Sequence, residues 1–395
     1  MNEEDLRRKG YSVHALRDLA RRKLPPMIFD MVDGGAGDEV TVRRNIEALA
    51  EIAFLPKVLA GVSSCSQETE LFGHRLASPV IVAPTGLAGL LWPRAEIATA
   101  QAASRFGTIY ITSHASTSTM EDIQLAAPGP KWMQIFLYKD RGLTAEFTAR
   151  AAAAGYAGLV LTVDNQVMAV RDRDARNGLM FPMKLRARGI LGFASRPGWL
   201  MRMLRAPNPT FVNYGARTGI GAFGPVMAEQ LDPDIGWKDV AWLRGLWKGP
   251  LILKGLLHPE EAVKAIEHGV DAVVVSNHGG RQLDGAVASV TALPAVVDAV
   301  AGRIPVLVDG GFRRGADVVK ALALGARAVL IGRPQLWGVA AAGETGVHWV
   351  LDVFKREIDR TMSLGGWDGI EKLNRAIFAR ETGLHATGFK PRNLD

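Results

Sequence analysis

Residues 305–333 read PVLVDGGFRRGADVVKALALGARAVLIGR. A β-branched apolar run ends in Asp and two glycines, an Ala- and Val-rich stretch follows with apolar residues at helical spacing, and a second apolar run ends in Gly-Arg. Strand, helix, strand over so short a span is the parallel βαβ unit with its right-handed crossover. The same short runs occur earlier as PVIVAPT (79–85), TIYITSH (108–114), KWMQIF (131–136), GLVLTVD (158–164), PLILK (250–254) and AVVVSNH (272–278). With PVLVDGG (305–311) and AVLIGR (328–333) they make eight. Eight alternating units predict an α/β fold closed into a (β/α)8 barrel, with an open doubly wound sheet as the alternative.

The spacing breaks once, between the fourth and fifth strands, where residues 165–249 are too long for one helix and must hold an insertion. A single domain over 1–395 then divides into an N-terminal helical segment (1–78), strands one to four (79–164), the insertion (165–249), strands five to eight (250–340) and a C-terminal helix and tail (341–395). In the first segment SVHALRDLARRKL and GGAGDEVTVRRNIEALAEI have the composition of helices that either cross the bottom of the barrel or line its mouth. Near the end, VHWVLDVFKREIDRTMSLGG has the apolar spacing of an amphipathic helix.

Composition narrows the class. Hydrophobic residues make up 48% of the chain and there are 43 glycines, as suits a large core with many tight turns. The single Cys65 excludes an intrachain disulfide, no Cys/His cluster has zinc spacing, and a reducing, cytoplasmic setting is expected. No apolar run is long enough to span a bilayer and no leader pattern opens the chain. The net charge is +7, yet residues 175–228 contain no acid and eight cations: Arg176, Lys184, Arg186, Arg188, Arg196, Arg202, Arg205 and Arg217. The rest of the chain is therefore nearly neutral, and the basic character belongs to the insertion.

In parallel barrels the reactive groups collect at the C-terminal ends of the strands. Those ends are Thr85, Ser113 and His114, Gln134, Asp164, Lys254, Ser276 and His278, Asp309, and Arg333. The seventh and eighth, DGGFRRG (309–315) and IGR (331–333), combine glycines with Arg313 and Arg333, which suits an anion such as phosphate, although tight turns alone also use glycine. Neither a P-loop nor a Rossmann glycine pattern is present, which disfavours ATP and nicotinamide as the main ligand.

SNHGGRQLD (276–284), together with KLPPMIFDMVDGGAGDE (23–39), APTGL (83–87), LTVD (161–164), LILKG (251–255), DGGFRRGADVVKALALGA (309–326) and IGRP (331–334), resembles the FMN-dependent 2-hydroxy acid dehydrogenases and oxidases. The resemblance extends over nearly the whole chain and implies flavin mononucleotide (FMN) as cofactor and oxidation of an L-2-hydroxy acid to the 2-keto acid. It implies His278 as catalytic base, Asp164 as the carboxylate that supports its imidazolium, and Lys254 beside the electron-rich edge of the flavin. It matches Arg171 and Arg281 to the holders of the substrate carboxylate. Thr85, Thr112, Gln134, Thr162 and Ser276 match flavin contacts, and Asp309, Gly311, Arg313, Gly332 and Arg333 match ribityl and phosphate binders. For Lys254 and Asp164 the bland alternative is a mutual structural ion pair; for each arginine it is a solvated surface charge.

The pattern departs from the family at the substrate. Two positions that carry tyrosine in most relatives hold Met31 and Phe136, and an aromatic position, often Trp, holds His114. A hydrogen bond to a charged group contributes about 1.5 to 3 kcal/mol, so losing two phenols weakens transition-state binding of a simple hydroxy acid by about two orders of magnitude or more. The expectation is a bulkier, aromatic or mandelate-like acid between Met31 and Phe136, with His114 as a substitute polar contact. A restored contact from a nearby residue, oxidative deamination by the same flavin chemistry, and a flavin-binding protein without catalysis are the alternatives. Gly86 matches a glycine of mandelate dehydrogenase, which leans toward a quinone or carrier as electron acceptor rather than O2.

FPMKLRARGILGFASRPGWLMRMLR (181–205) interleaves cations with large apolar residues, as an interfacial helix does. The resemblance to mandelate dehydrogenase implies a peripheral membrane contact here, on the inner face of the cytoplasmic membrane; a lid over the site is the other reading. Nucleic acid is not expected, because the patch is compact and carries no known nucleic-acid motif. A homotetramer is what the resemblance implies.

Overall fold

The computed structural model describes residues 1–178, 187–206, 210–217 and 229–379. Two short strands, β1 (Thr69–Leu71) and β2 (His74–Leu76), precede eight barrel strands. The barrel strands are β3 (Val80–Val82), β4 (Tyr110–Ser113), β5 (Lys131–Ile135), β6 (Gly158–Thr162), β7 (Leu251–Leu256), β8 (Ala272–Val275), β9 (Val306–Asp309) and β10 (Ala328–Ile331). They hydrogen-bond in chain order and close through β10 against β3, all parallel. The doubly wound alternative is thereby excluded, and seven of the barrel strands lie within the runs read from the sequence, while β7 extends two residues past the run at 250–254.

Both faces of each strand are buried, for different reasons. Ile81, Ile111, Trp132, Val160, Ile252, Val274, Leu307 and Leu330 fill the barrel interior. Their neighbours of opposite parity, among them Val82, Tyr110, Met133, Leu161, Val275 and Val308, pack beneath the surrounding helices. Period two along each strand thus decides which residue of a pair can reach the mouth.

The N-terminal segment is not helical throughout. Helices Val13–Lys23, Pro26–Asp33 and Val40–Glu51 are followed by the antiparallel β1–β2 hairpin. Its turn places Phe72 and Gly73 at φ 49 and 78, the left-handed pair that a two-residue hairpin turn requires. Leu71 and Leu76 join the interior cluster, with Phe72 6.0 Å from Trp132, and stopper the bottom of the barrel. Residues 26–36 instead reach the mouth, where the carbonyls of Met31, Asp33 and Gly34 accept from Arg281 and Arg333. Of the two placements open from sequence, the helices after residue 25 thus take the mouth and the hairpin takes the bottom.

The insertion contributes the helices Asp172–Asn177, Ala187–Ala194 and Pro197–Leu204; Trp237–Leu246 then packs on the helix Arg141–Ala153. The first part of the basic stretch, 181–186, lies outside the described residues. The helix expected over 347–366 is the second half of a longer one, Arg333–Gly365. It is broken at Ala342 and Gly343, where Gly343 (φ 59) lies against Trp92 with no room for a Cβ.

Candidate active site

A cavity of about 300 Å³ opens at the C-terminal ends of the strands, a volume at the small end of those that hold cofactors and ligands. Thr85, His114, Gln134, Thr162, Lys254, His278, Asp309 and Gly332 line it, each on or just after a different barrel strand. Arg171, Arg281, Arg313 and Arg333 complete the polar wall, and Met31, Leu87, Phe136 and Met168 the apolar one.

His278 follows β8 at φ 58, with Gly279 and Gly280 also left-handed. Its Nδ1 lies 2.8 Å from Asp164 Oδ1 and its backbone N–H donates to Ser276 Oγ at 3.0 Å. With Nδ1 engaged by a carboxylate, Nε2 is the nitrogen left to take up a proton. Burial pushes the Asp164 carboxyl up, but His278 and then Lys254 outweigh it and hold it below the ordinary value. A buried network fixes the loop: Asn277 and Asn45 exchange amide hydrogen bonds at 2.8 and 2.9 Å, and Asn277 Oδ1 accepts from Gly280.

Lys254 is 4% exposed; its Nζ lies 2.9 Å from Asp309 Oδ2 and donates to Ser276 Oγ at 2.9 Å. Burial disfavours its charge, yet Asp309 and then Asp164 raise its proton affinity above that of an ordinary lysine. Its ion-pair partner is Asp309, so the mutual Lys254–Asp164 pair considered from sequence does not form. Ser276 and Asp164 stand behind the lining and support it. Thr112 is displaced from its expected place: it has the parity of Tyr110, faces the helices, and its Oγ1 accepts from Tyr156 Oη at 3.2 Å. Ser113, with the parity of the interior Ile111, lines the cavity instead; period two along β4 is the signal that selects it.

Four guanidinium groups converge with too little negative charge around them. Burial and then repulsion from Arg171 and Arg333 push the Arg281 pKa down, and burial with Arg333 does the same to Arg313. Arg171 is lowered by burial despite Asp174 at 3.6 Å, and its Nε has no partner among the described residues. Guanidinium does not lose its proton in proteins, so this arrangement calls for bound anions. Arg333 donates to the carbonyls of Asp33, Gly34 and Gly279 at 3.1, 2.7 and 2.7 Å, and Arg313 lies 4.9 Å over the Trp337 ring.

The residues fit FMN. Asp309 Oδ1 is buried with no partner among the described residues and can accept from a ribityl hydroxyl. Gly311 (φ 90) passes so close to Asn45 that a Cβ would meet its carbonyl oxygen at 2.3 Å, while a Cβ on Gly332 would meet only Thr85 Cγ2, at 4.0 Å. The N–H groups of Arg313 and Arg314 are already taken by Asp317 Oδ2, both at 2.9 Å, so the phosphate side relies on the guanidinium groups and on the start of the helix at Gly332.

Sequence reading missed the support around this wall. Gln335 Nε2 donates to Thr85 Oγ1 at 2.7 Å, and Asn45 braces the His278 loop from 232 residues away. No local motif announces such long-range pairs.

Residues 20–380 match the profile of the family described as FMN-dependent dehydrogenase. The chain is similar to an L-lactate dehydrogenase of Caulobacter vibrioides, 44% identical over 92% of this chain and 96% of that one. A peroxisomal (S)-2-hydroxyacid oxidase of Arabidopsis thaliana is 43% identical over 92% and 95%. Among solved structures, the monotopic membrane protein (S)-mandelate dehydrogenase superposes with a TM-score of 0.90 at 39% identity, over 94% of this chain and 99% of that one.

Proposed function

The chain belongs to the FMN-dependent dehydrogenase family, and from that premise we propose that it oxidises an L-2-hydroxy acid with an apolar, aromatic side chain to the 2-keto acid. The observation that carries this reading is the His278–Asp164 pair and the Arg171 and Arg281 guanidinium groups in one cavity with Lys254. FMN, when bound, supplies a two-electron acceptor. Arg171 and Arg281 hold the substrate carboxylate, replacing the missing counter-charge noted above. His278 Nε2 takes the proton released by the substrate, and Asp164 stabilises the resulting imidazolium at Nδ1. Lys254, kept charged by Asp309, supplies positive charge to the wall against which negative charge gathers.

Met31 and Phe136 present no hydroxyl, and among the described residues no tyrosine lines the cavity. Tyr138 and Tyr214 are buried behind Phe136 with their hydroxyls 2.5 Å apart. That supports an apolar seat for the substrate side chain over restoration of the missing phenols. Anaerobic mixing of the yellow holoprotein with aliphatic and aromatic 2-hydroxy acids tests the reading: (S)-mandelate-like acids should bleach the flavin and yield one keto acid per flavin. Bleaching only by amines, with release of ammonia, or by nothing in the panel would overturn it.

The same reading extends to the acceptor and the membrane. Gly86 lies where a Cβ would meet the Ala115 Cβ at 2.9 Å, and with the resemblance it favours a quinone or carrier over O2. The helices Ala187–Ala194 and Pro197–Leu204 expose Leu191, Met201 and Leu204 beside Arg202. No described helix is long and apolar enough to cross a membrane, so the contact would be peripheral. A homotetramer completes the proposal.

A further inference from the structure

His114 is almost wholly buried, and its ring lies 4.3 Å from Phe136, with Tyr138 at 6.4 Å and Tyr214 at 6.2 Å. Its Nδ1 is 2.7 Å from Gln134 Oε1. Which atom carries the hydrogen follows from the next bond. Gln134 Nε2 lies 3.1 Å from the Ile135 carbonyl, which can only accept, so the amide nitrogen faces Ile135 and the amide oxygen faces His114. The backbone N–H of His114 and the Ser113 hydroxyl approach the same oxygen, each at 3.4 Å, as befits an acceptor. Nδ1 must therefore be the N–H. Burial, outweighing Gln134, lowers the pKa of this imidazole to about 4, with His278 adding to the effect, so at neutral pH the ring is uncharged. A neutral Nδ1–H tautomer carries a lone pair on Nε2. Among the described residues nothing donates to that nitrogen, and the residue lines the cavity beside His278 and Phe136.

Resting on the hydroxy acid reading above, we propose that His114 is a specificity-determining residue whose Nε2 accepts a hydrogen bond from the substrate side chain. The preferred substrate is then an aromatic 2-hydroxy acid whose ring carries a hydroxyl or amino donor. A purely hydrocarbon ring leaves Nε2 without a partner, and a ring bearing an ether oxygen sets two acceptors against each other.

The test uses holoenzyme and two ligand series. Phenylacetate, its three ring-hydroxylated isomers and the matching methyl ethers cannot be oxidised at a 2-hydroxyl, and their Kd is read from the perturbation of the bound-flavin spectrum. The corresponding mandelates report the rate of flavin reduction. One hydroxyl isomer should bind about threefold to tenfold more tightly than both the parent acid and its own ether, the range of one neutral hydrogen bond. His114→Phe should abolish that difference. Hydroxyl isomers no tighter than their ethers in the unaltered enzyme, or a preference that survives His114→Phe, would overturn the assignment. If hydroxylated phenylacetates bind selectively while no mandelate bleaches the flavin, the reaction fails and the recognition stands.

Discussion

At His278 the backbone adopts a φ of 58, and two more left-handed residues follow. Such a conformation costs a side-chain-bearing residue about 1 to 3 kcal/mol unless its surroundings over-determine it. Here they do, through the Asn45–Asn277 amide pair, the Ser276 hydroxyl under the His278 N–H, and Asp164 on the ring. His114 is held differently, by burial in the uncharged state. The pKa of this ring is about 4 in the fold against about 6.5 in the open chain. Between those values the unfolded chain binds a proton that the folded chain refuses, so stability is full above pH 6.5 and falls as pH drops toward 4. The slope from this one group is about 1.4 kcal/mol per pH unit within the window. Thermal unfolding of wild type and His114→Phe from pH 7.5 to 4.5 should give parallel curves above pH 6.5 and a steeper acid loss for wild type. Equal slopes throughout would mean that the ring titrates as in water.

At the scale of elements, the mouth depends on a latch between chain segments far apart in sequence. Arg173, in the helix Asp172–Asn177, lies 3.1 Å from Asp33, 3.6 Å from Asp30 and 2.5 Å from Glu39. Asp33 also receives Arg17 through two bonds of 2.6 and 2.7 Å. The latch ties the segment carrying Arg171 to the 30–39 stretch whose carbonyls hold Arg281 and Arg333. Arg173→Ala should therefore raise the KM for a hydroxy acid about tenfold and change kcat much less, because both carboxylate holders lose their alignment before the His278–Asp164 pair does. Steady-state kinetics check it; a fall in kcat at constant KM would place the effect elsewhere. None of this was legible in the sequence: Asp33 stands within the quoted 23–39 stretch, but Arg173, 140 residues away, stands in no motif, and nothing local pairs the two. The strands were legible because each is a short apolar run buried on both faces. The mouth followed from strand ends, and parity would have chosen Ser113 over Thr112 on β4. The β1–β2 hairpin escaped because three-residue strands carry too little pattern to be told from a loop.

Over the whole molecule, the cation-rich mouth is where the N-terminal segment, the insertion and the ends of β8, β9 and β10 meet. Burial and the mutual repulsion of the guanidinium groups together outweigh the nearby acids, so anions bound in the mouth stabilise it. FMN carries a phosphate and presents its ring to the same wall, and a ligand bound at a hundred times its Kd adds about 2.7 kcal/mol to folding stability. Stripping the flavin should therefore lower Tm by several degrees, with the proteolytic opening of 26–39 and 165–178 preceding that of the barrel. Inorganic phosphate or sulfate at millimolar concentration should restore part of the loss, whereas riboflavin, which has the ring but no phosphate, should restore less than FMN by the share that Arg313 and Arg333 contribute. Differential scanning calorimetry of the flavin-free protein with each additive separates the terms. If riboflavin stabilised as well as FMN and phosphate did nothing, the arginines would be satisfied within the protein itself, and charge would not be what draws the cofactor to this end of the barrel.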